Sequence, residues 1–195
     1  MNETIKYGAV GLMGGVVLGI IIAPWFSQSD SPRLNSMIGQ NIDKHFIEEM
    51  LPHHEGAIVM AELALELSKR PEIISLANEI IEAQKRENEQ MSEWYSDWFG
   101  GTPSNALSIG EMGHGPMGMS MLGVEGDLET LKLANDFDLE LISQMIPHHE
   151  MAIMMARMLV ASTNRVEMKM LADNIITSQS QEIEIMRNWY REWSK

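Results

Sequence analysis

The chain has 195 residues, a formal charge of −14 and no cysteine. That acidity argues against nucleic acid as a partner, and the lack of thiols excludes disulfide staples, thiolate catalysis and Cys-based zinc sites. Methionine is over-used, with 18 in the chain, but it is a common gap-filler in cores, so its placement carries more than its number.

From Tyr7 to Phe26 the chain is apolar and uncharged, with Lys6 before it and Trp25-Phe26 at its end. At ~1.5 Å rise per residue such a run spans about one hydrocarbon core. Residues 5–26 are therefore expected to form a transmembrane anchor or uncleaved signal. A cleaved signal peptide is the rival, set back by Pro24 directly after the small Ala23. Each reading places the rest outside the cytoplasm, on the periplasmic or extracellular face. Residues 27–36 are polar, contain Pro32, and read as a linker.

The remainder contains a duplication. Aligning residue n with n+95 matches Asp43–Gly100 to Asp138–Lys195 without a gap, and 24 of 58 positions are identical. Residues 37–100 and 131–195 are the two units, joined by a Gly/Met-rich connection over 101–130. In the first unit, Phe46, Met50, His53, Ala57, Met60, Ala64 and Leu67 share one helical face, on a helix expected from about Asn41 to Ser68. Pro52 and Pro147 each remove a backbone donor inside the first helix of their unit, so that helix kinks there or begins there. Pro71 opens a second helix, whose seam runs Ile73, Ala77, Ile80, Gln84, Glu87, Met91, Trp94 and Trp98. Two such hairpins predict an all-α fold, an antiparallel four-helix bundle with a pseudo-twofold axis.

The strings Met50-Leu-Pro-His-His-Glu55 and Met145-Ile-Pro-His-His-Glu150 hold four of the six histidines. On a helix Met50 lies three and four residues from His53 and His54, so a thioether and an imidazole share a face. Met60 extends that stripe, and Met145, His148, His149 and Met155 repeat it, with Met151, Met154 and Met158 added. Thioether with imidazole suits copper, Cu(I) above all, whereas hard ions and most zinc sites have no use for thioether. A lone buried histidine is more often a hydrogen-bonded core residue, but the duplicated His pairs reverse that balance. For the Met stripe alone core packing is the expectation, especially at Met158, Met168 and Met170.

In a hairpin turning near residue 70, the level of His53 meets Glu87, and Met50 meets Gln90 and Met91. Gln84, Glu87, Gln179 and Glu182 are the polar residues of otherwise apolar seams. A carboxylate there needs a partner. It orients a His ring, ligates a metal itself, or sits at a loose rim of the bundle. Met112, His114, Met117, Met119 and Met121 form a third candidate cluster, interleaved with Gly where no regular helix forms. Disorder without a ligand is its competing reading.

These strings resemble domain-of-unknown-function family 305, and especially its cyanobacterial copper-binding members. The family's Met-x-Pro-His-His-x-x-Ala-x-x-Met-Ala string is matched at Met50, Pro52, His53, His54, Ala57, Met60 and Ala61. It is matched again at Met145, Pro147, His148, His149, Ala152, Met155 and Ala156. The resemblance covers about residues 35–195. It implies a ferritin-like bundle outside the cytoplasm that binds copper through Met and His, in copper tolerance.

The reading that follows is an extracytoplasmic copper-binding protein, anchored in the membrane, that sequesters Cu(I) or exchanges it with a donor or acceptor protein. No nucleophile–base arrangement supports an enzyme. A di-metal oxidase would want Glu three residues before each metal-binding His, where this chain has Met50 and Met145. Glu87 and Glu182 keep that alternative open, and a structural bundle presenting a partner-binding surface is the third.

Overall fold

A computed structural model describes residues 31–103 and 127–195, with side chains from Asn41 onward. Five helices make up the described part: α1 (Ser31–Leu67), α2 (Pro71–Phe99), α3 (Leu128–Leu133), α4 (Phe137–Ser162) and α5 (Val166–Trp193). No strand occurs among the described residues. No helix among them is long and apolar enough to cross a membrane, and the expected anchor at Tyr7 to Phe26 lies outside them.

Helix α1 starts at Ser31, well before Asn41, so part of the expected linker is helical. Pro32 falls in its first turn, where a missing N–H leaves no bond unmade. Both α1 and α4 continue through their internal prolines, Pro52 and Pro147, which rules out a helix start at either. Pro71 opens α2, and Gly100, at φ +76, closes it in a conformation that favours glycine. The short α3, which straddles the end of the expected 101–130 connection, was not anticipated. Asp127 caps it by accepting from the Thr130 backbone N–H at 2.9 Å, and Leu131 anchors it in the core.

Helix α1 packs along α2, α4 along α5, and the two hairpins meet through α1 and α4. The predicted seams are the buried faces: Phe46, Met50, His53, Ala57, Met60 and Ala64 of α1 are buried, as are Ile73, Ala77, Ile80, Gln84 and Met91 of α2. Leu67 departs from its stripe and is exposed. Fully burying a Leu, Ile or Met stabilises by ~1.5–3 kcal/mol, so these faces supply the adhesion between hairpins.

Two arginine clasps set the relative direction of the hairpins. Arg70, in the first hairpin's turn, donates Nη1–H to Asp136 Oδ1 at 2.8 Å and to Asp138 Oδ2 at 2.6 Å, and Nη2–H to Asp136 Oδ2 at 2.9 Å. Its guanidinium lies 4.6 Å from the Trp193 ring centroid. The repeat equivalent, Arg165, pairs with the buried Asp43 at 3.2 Å and covers the Trp98 ring at 4.0 Å. Each turn therefore grips the N-terminal half of the other hairpin's first helix and the end of its second, so α1 and α4 run antiparallel. Burial pushes the Asp43 carboxyl upward, opposed by the Thr163 hydroxyl and Arg165. The hydrogen bonds from Arg70 instead draw Asp136 down from 3.8 to about 2.

Because Asp136 titrates lower in the folded chain, the stability it contributes is present above pH 3.8 and is lost as pH falls toward about 2. Arg70→Ala strips the partner from the buried Asp138 and is expected to lower the unfolding free energy by about 2 kcal/mol at neutral pH. Asp136→Asn should flatten the acid limb of the Tm-versus-pH curve in that window. Thermal denaturation followed by circular dichroism across the pH range checks both.

Candidate metal centre

The four histidines of the two strings are buried in the middle of the molecule, where α1 crosses α4. Helical spacing turns His54 by ~100° from His53, and the structure uses the two faces differently. His53 looks across the hairpin boundary, and its ring centroid is 3.8 Å from that of His148, its repeat equivalent. A residue touching its own copy lies on the symmetry axis, so the pseudo-twofold axis passes between these rings. His54 looks within its own hairpin, toward α2. Its centroid is 6.5 Å from that of His53, and the second unit repeats this with 6.2 Å between His148 and His149.

The acidic partner predicted for the level of His53 belongs to its neighbour. His54 Nε2–H donates to Glu87 Oε2 at 2.8 Å, and His149 Nε2–H donates to Glu182 Oε2 at 2.6 Å. A carboxylate only accepts, so Nε2 carries the proton that points at it, and Nδ1 is the ring nitrogen left to offer a lone pair to a metal. In both histidines that Nδ1 is buried without a hydrogen-bond partner among the described residues. A carboxylate fixing one ring nitrogen while the other is left to a metal is the usual outer-shell arrangement at metal-binding histidines. Gln84 and Gln179 are buried on the same seams, and their Oε1 atoms have no such partner.

His53 is buried without any hydrogen bond from its ring among the described residues, and the side chain is 1 % exposed. Burial, reinforced by His148 and then by His54 and His149, lowers its pKa to about 2. The ring is therefore neutral, with one lone pair to offer. A buried polar group left unpaired costs ~1–3 kcal/mol, so a chain that retains one needs a reason for it.

The thioethers lie on either side of this imidazole layer. Met60 and Met145, fully buried, pack in one core cluster with Met186. Met50 packs in the other with Met91 and Met168, and Met155 closes against it. Each cluster thus joins the first string's methionine from one unit to the second methionine of the other. Met50 and Met145 serve two separate clusters. The core-packing expectation holds for Met168, which is buried, and fails for Met158 and Met170, which are 64 % and 62 % exposed. Those two face away from the interface because they fall opposite the seams of α4 and α5.

Among the described residues no three His, Asp or Glu side chains converge on a point that could hold a metal ion. A soft ion that accepts few ligands and tolerates thioether fits the donor set. The loop candidates Met112, His114, Met117, Met119 and Met121 lie outside the described residues. Sequence reasoning missed the contact between His53 and His148, and a twofold axis drawn through the two strings would have signalled it.

The family model described as domain of unknown function (DUF305) matches residues 43–190. Among solved structures, CopM in its Cu(II)-bound form is 46 % identical, covers 77 % of this chain and 97 % of that one, and superposes with a TM-score of 0.69. CopM in its Cu(I)-bound form is 44 % identical over 78 % of this chain and 98 % of that one, with a TM-score of 0.66. A DUF305 fragment from Deinococcus radiodurans is 26 % identical over 77 % of this chain and 96 % of that one, with a TM-score of 0.64. No curated protein matches the chain.

If His53 is retained for ligand binding, it adds nothing to the metal-free fold. His53→Leu is expected to leave the metal-free protein as stable as before, or up to ~2 kcal/mol more stable, because an apolar side chain removes two unpaired polar atoms. Urea unfolding in the presence of a chelator measures this. A loss of stability instead would mean that the ring is satisfied where it lies.

Proposed function

The chain belongs to the DUF305 family, and on that footing we propose that it binds copper as Cu(I), through buried imidazoles flanked by thioethers, for sequestration, transfer or tolerance. The observation that carries this is the duplicated bond from His54 to Glu87 and from His149 to Glu182, each leaving a buried Nδ1 without a hydrogen-bond partner among the described residues. The CopM structures with Cu(I), Cu(II) and Ag bound support the choice of ion.

His53, His54, His148 and His149 would hold the ion, and the surrounding thioethers of Met50, Met60, Met145 and Met155 supply soft donors nearby. Glu87 and Glu182 keep the proton on Nε2 of their histidines and so keep Nδ1 free. The neutrality of His53 matters equally, since a protonated ring repels a cation and has no lone pair. The remaining candidates, Met112, His114, Met117, Met119 and Met121, would act as a capture segment on the connection between units. We further propose anchoring through residues 5–26, a ferritin-like arrangement of the helices, and placement of the helical part outside the cytoplasm. Exchange with a copper donor or acceptor protein completes the proposal. The oxidase alternative keeps only Glu87 and Glu182 in its favour, and both are already engaged with histidine.

Competition titrations of the full chain with Cu(I), Zn(II) and Fe(II) test this. Cu(I) is expected to bind most tightly. Glu87→Gln with Glu182→Gln should weaken it by roughly 10-fold, as losing a ligand's outer partner does, and His54→Ala with His149→Ala should weaken it further. Unchanged Cu(I) affinity in the histidine variant would move the site to the connection. Tight Fe(II) binding with oxygen uptake would favour the oxidase, and no binding of any ion the structural reading.

A further inference from the structure

The two units are unequal on the outer face of their first helices. Where the first has Gly56, Val59 and Leu63, the second has Met151, Met154 and Met158. All three substitutions introduce a thioether, two of them at exposed positions that contribute little to the core. Met154 is 48 % and Met158 64 % exposed, and Met151 is half-buried. Single exposed apolar residues are ordinary on a protein surface. Three of one type at successive helical contacts, in one copy of a duplicated unit, are not accounted for that way.

Spacings of three and four residues hold these side chains within a sector of ~60° on α4, with neighbouring Cβ atoms ~5–6 Å apart. Each thioether is unbranched and flexible, so adjacent sulfurs can close on one ion between them. The chemistry is selective. The carboxylate one turn away, Glu150, is paired with Arg187 at 2.5 Å, and Arg157 on the adjoining face is exposed and positive. A hard dication finds no free oxygen ligand on this stripe, whereas a soft monovalent cation needs only sulfur.

We infer that Met151, Met154 and Met158 form a second, solvent-facing site on α4 for a soft monovalent cation of the Cu(I) or Ag(I) type. It is separate from the buried histidine layer, since it lies on the opposite side of α4 from His149 and the core. The copper reading above bears on it only through the choice of ion. Solvent exposure makes this the site from which an ion exchanges with another protein or with a small thiol.

Ag(I), which needs no reductant, is the probe. In the full chain labelled with 13C at the methionine methyls, Ag(I) is expected to shift the Met151, Met154 and Met158 resonances together. Met154→Leu with Met158→Leu, exposed and helix-compatible, should weaken that response at least ~10-fold, whereas Met170→Leu should not. Met170 is as exposed but has no thioether three or four residues away. The shifts should persist in His54→Ala with His149→Ala, so failure of the buried site leaves this one standing. Methyls of α4 that stay still while those of the core move would overturn the inference, as would an equal response to Met170→Leu.

Discussion

Two imidazoles of identical ancestry meet across a pseudo-twofold axis, and the rest of the molecule is arranged around that contact. His53 and His148 lie 3.8 Å apart between ring centroids, in a core with no water-facing side. Neutral rings can share such a space and charged ones cannot, which is why burial and mutual repulsion lower the His53 pKa to about 2. The cost is an unpaired polar ring at the centre of the fold.

Around that layer the duplication acts twice. It places one Glu-fixed histidine on each side, and it sends the methionines of each unit into the other's cluster. Neither hairpin alone contains both halves of a cluster, so the thioether groups exist only when the hairpins are joined. The Arg70 and Arg165 clasps determine that joining, because each reaches across to a carboxylate and an indole of the other unit. Charge and cation–π contact at the two ends thereby fix which residues meet in the middle.

The symmetry also shows where it has been relaxed. Tyr95 is buried and donates to Glu48 at 2.7 Å, whereas its equivalent Tyr190 is exposed. The outer face of α4 carries thioethers that α1 lacks. The first difference reaches the core, since Tyr95 packs in it, whereas the second lies on the outer surface, where the two units are free to differ.

Periodicity and duplication in the sequence alone determined the helices, the hairpins, the buried seams and the two Met-Pro-His-His strings. Those are local properties, and a residue's helical face follows from its spacing. The level of Glu87 was legible too, from antiparallel counting, but not its choice of His54 over His53, since two adjacent histidines point ~100° apart and spacing does not say which faces α2. Only the tertiary structure decided that His53 meets His148, that Met50 and Met145 belong to different clusters, and that Met158 and Met170 face outward. These depend on how one hairpin rotates against the other. That rotation is set by the long-range grip of Arg70 and Arg165 on residues far along the chain, which no local pattern encodes.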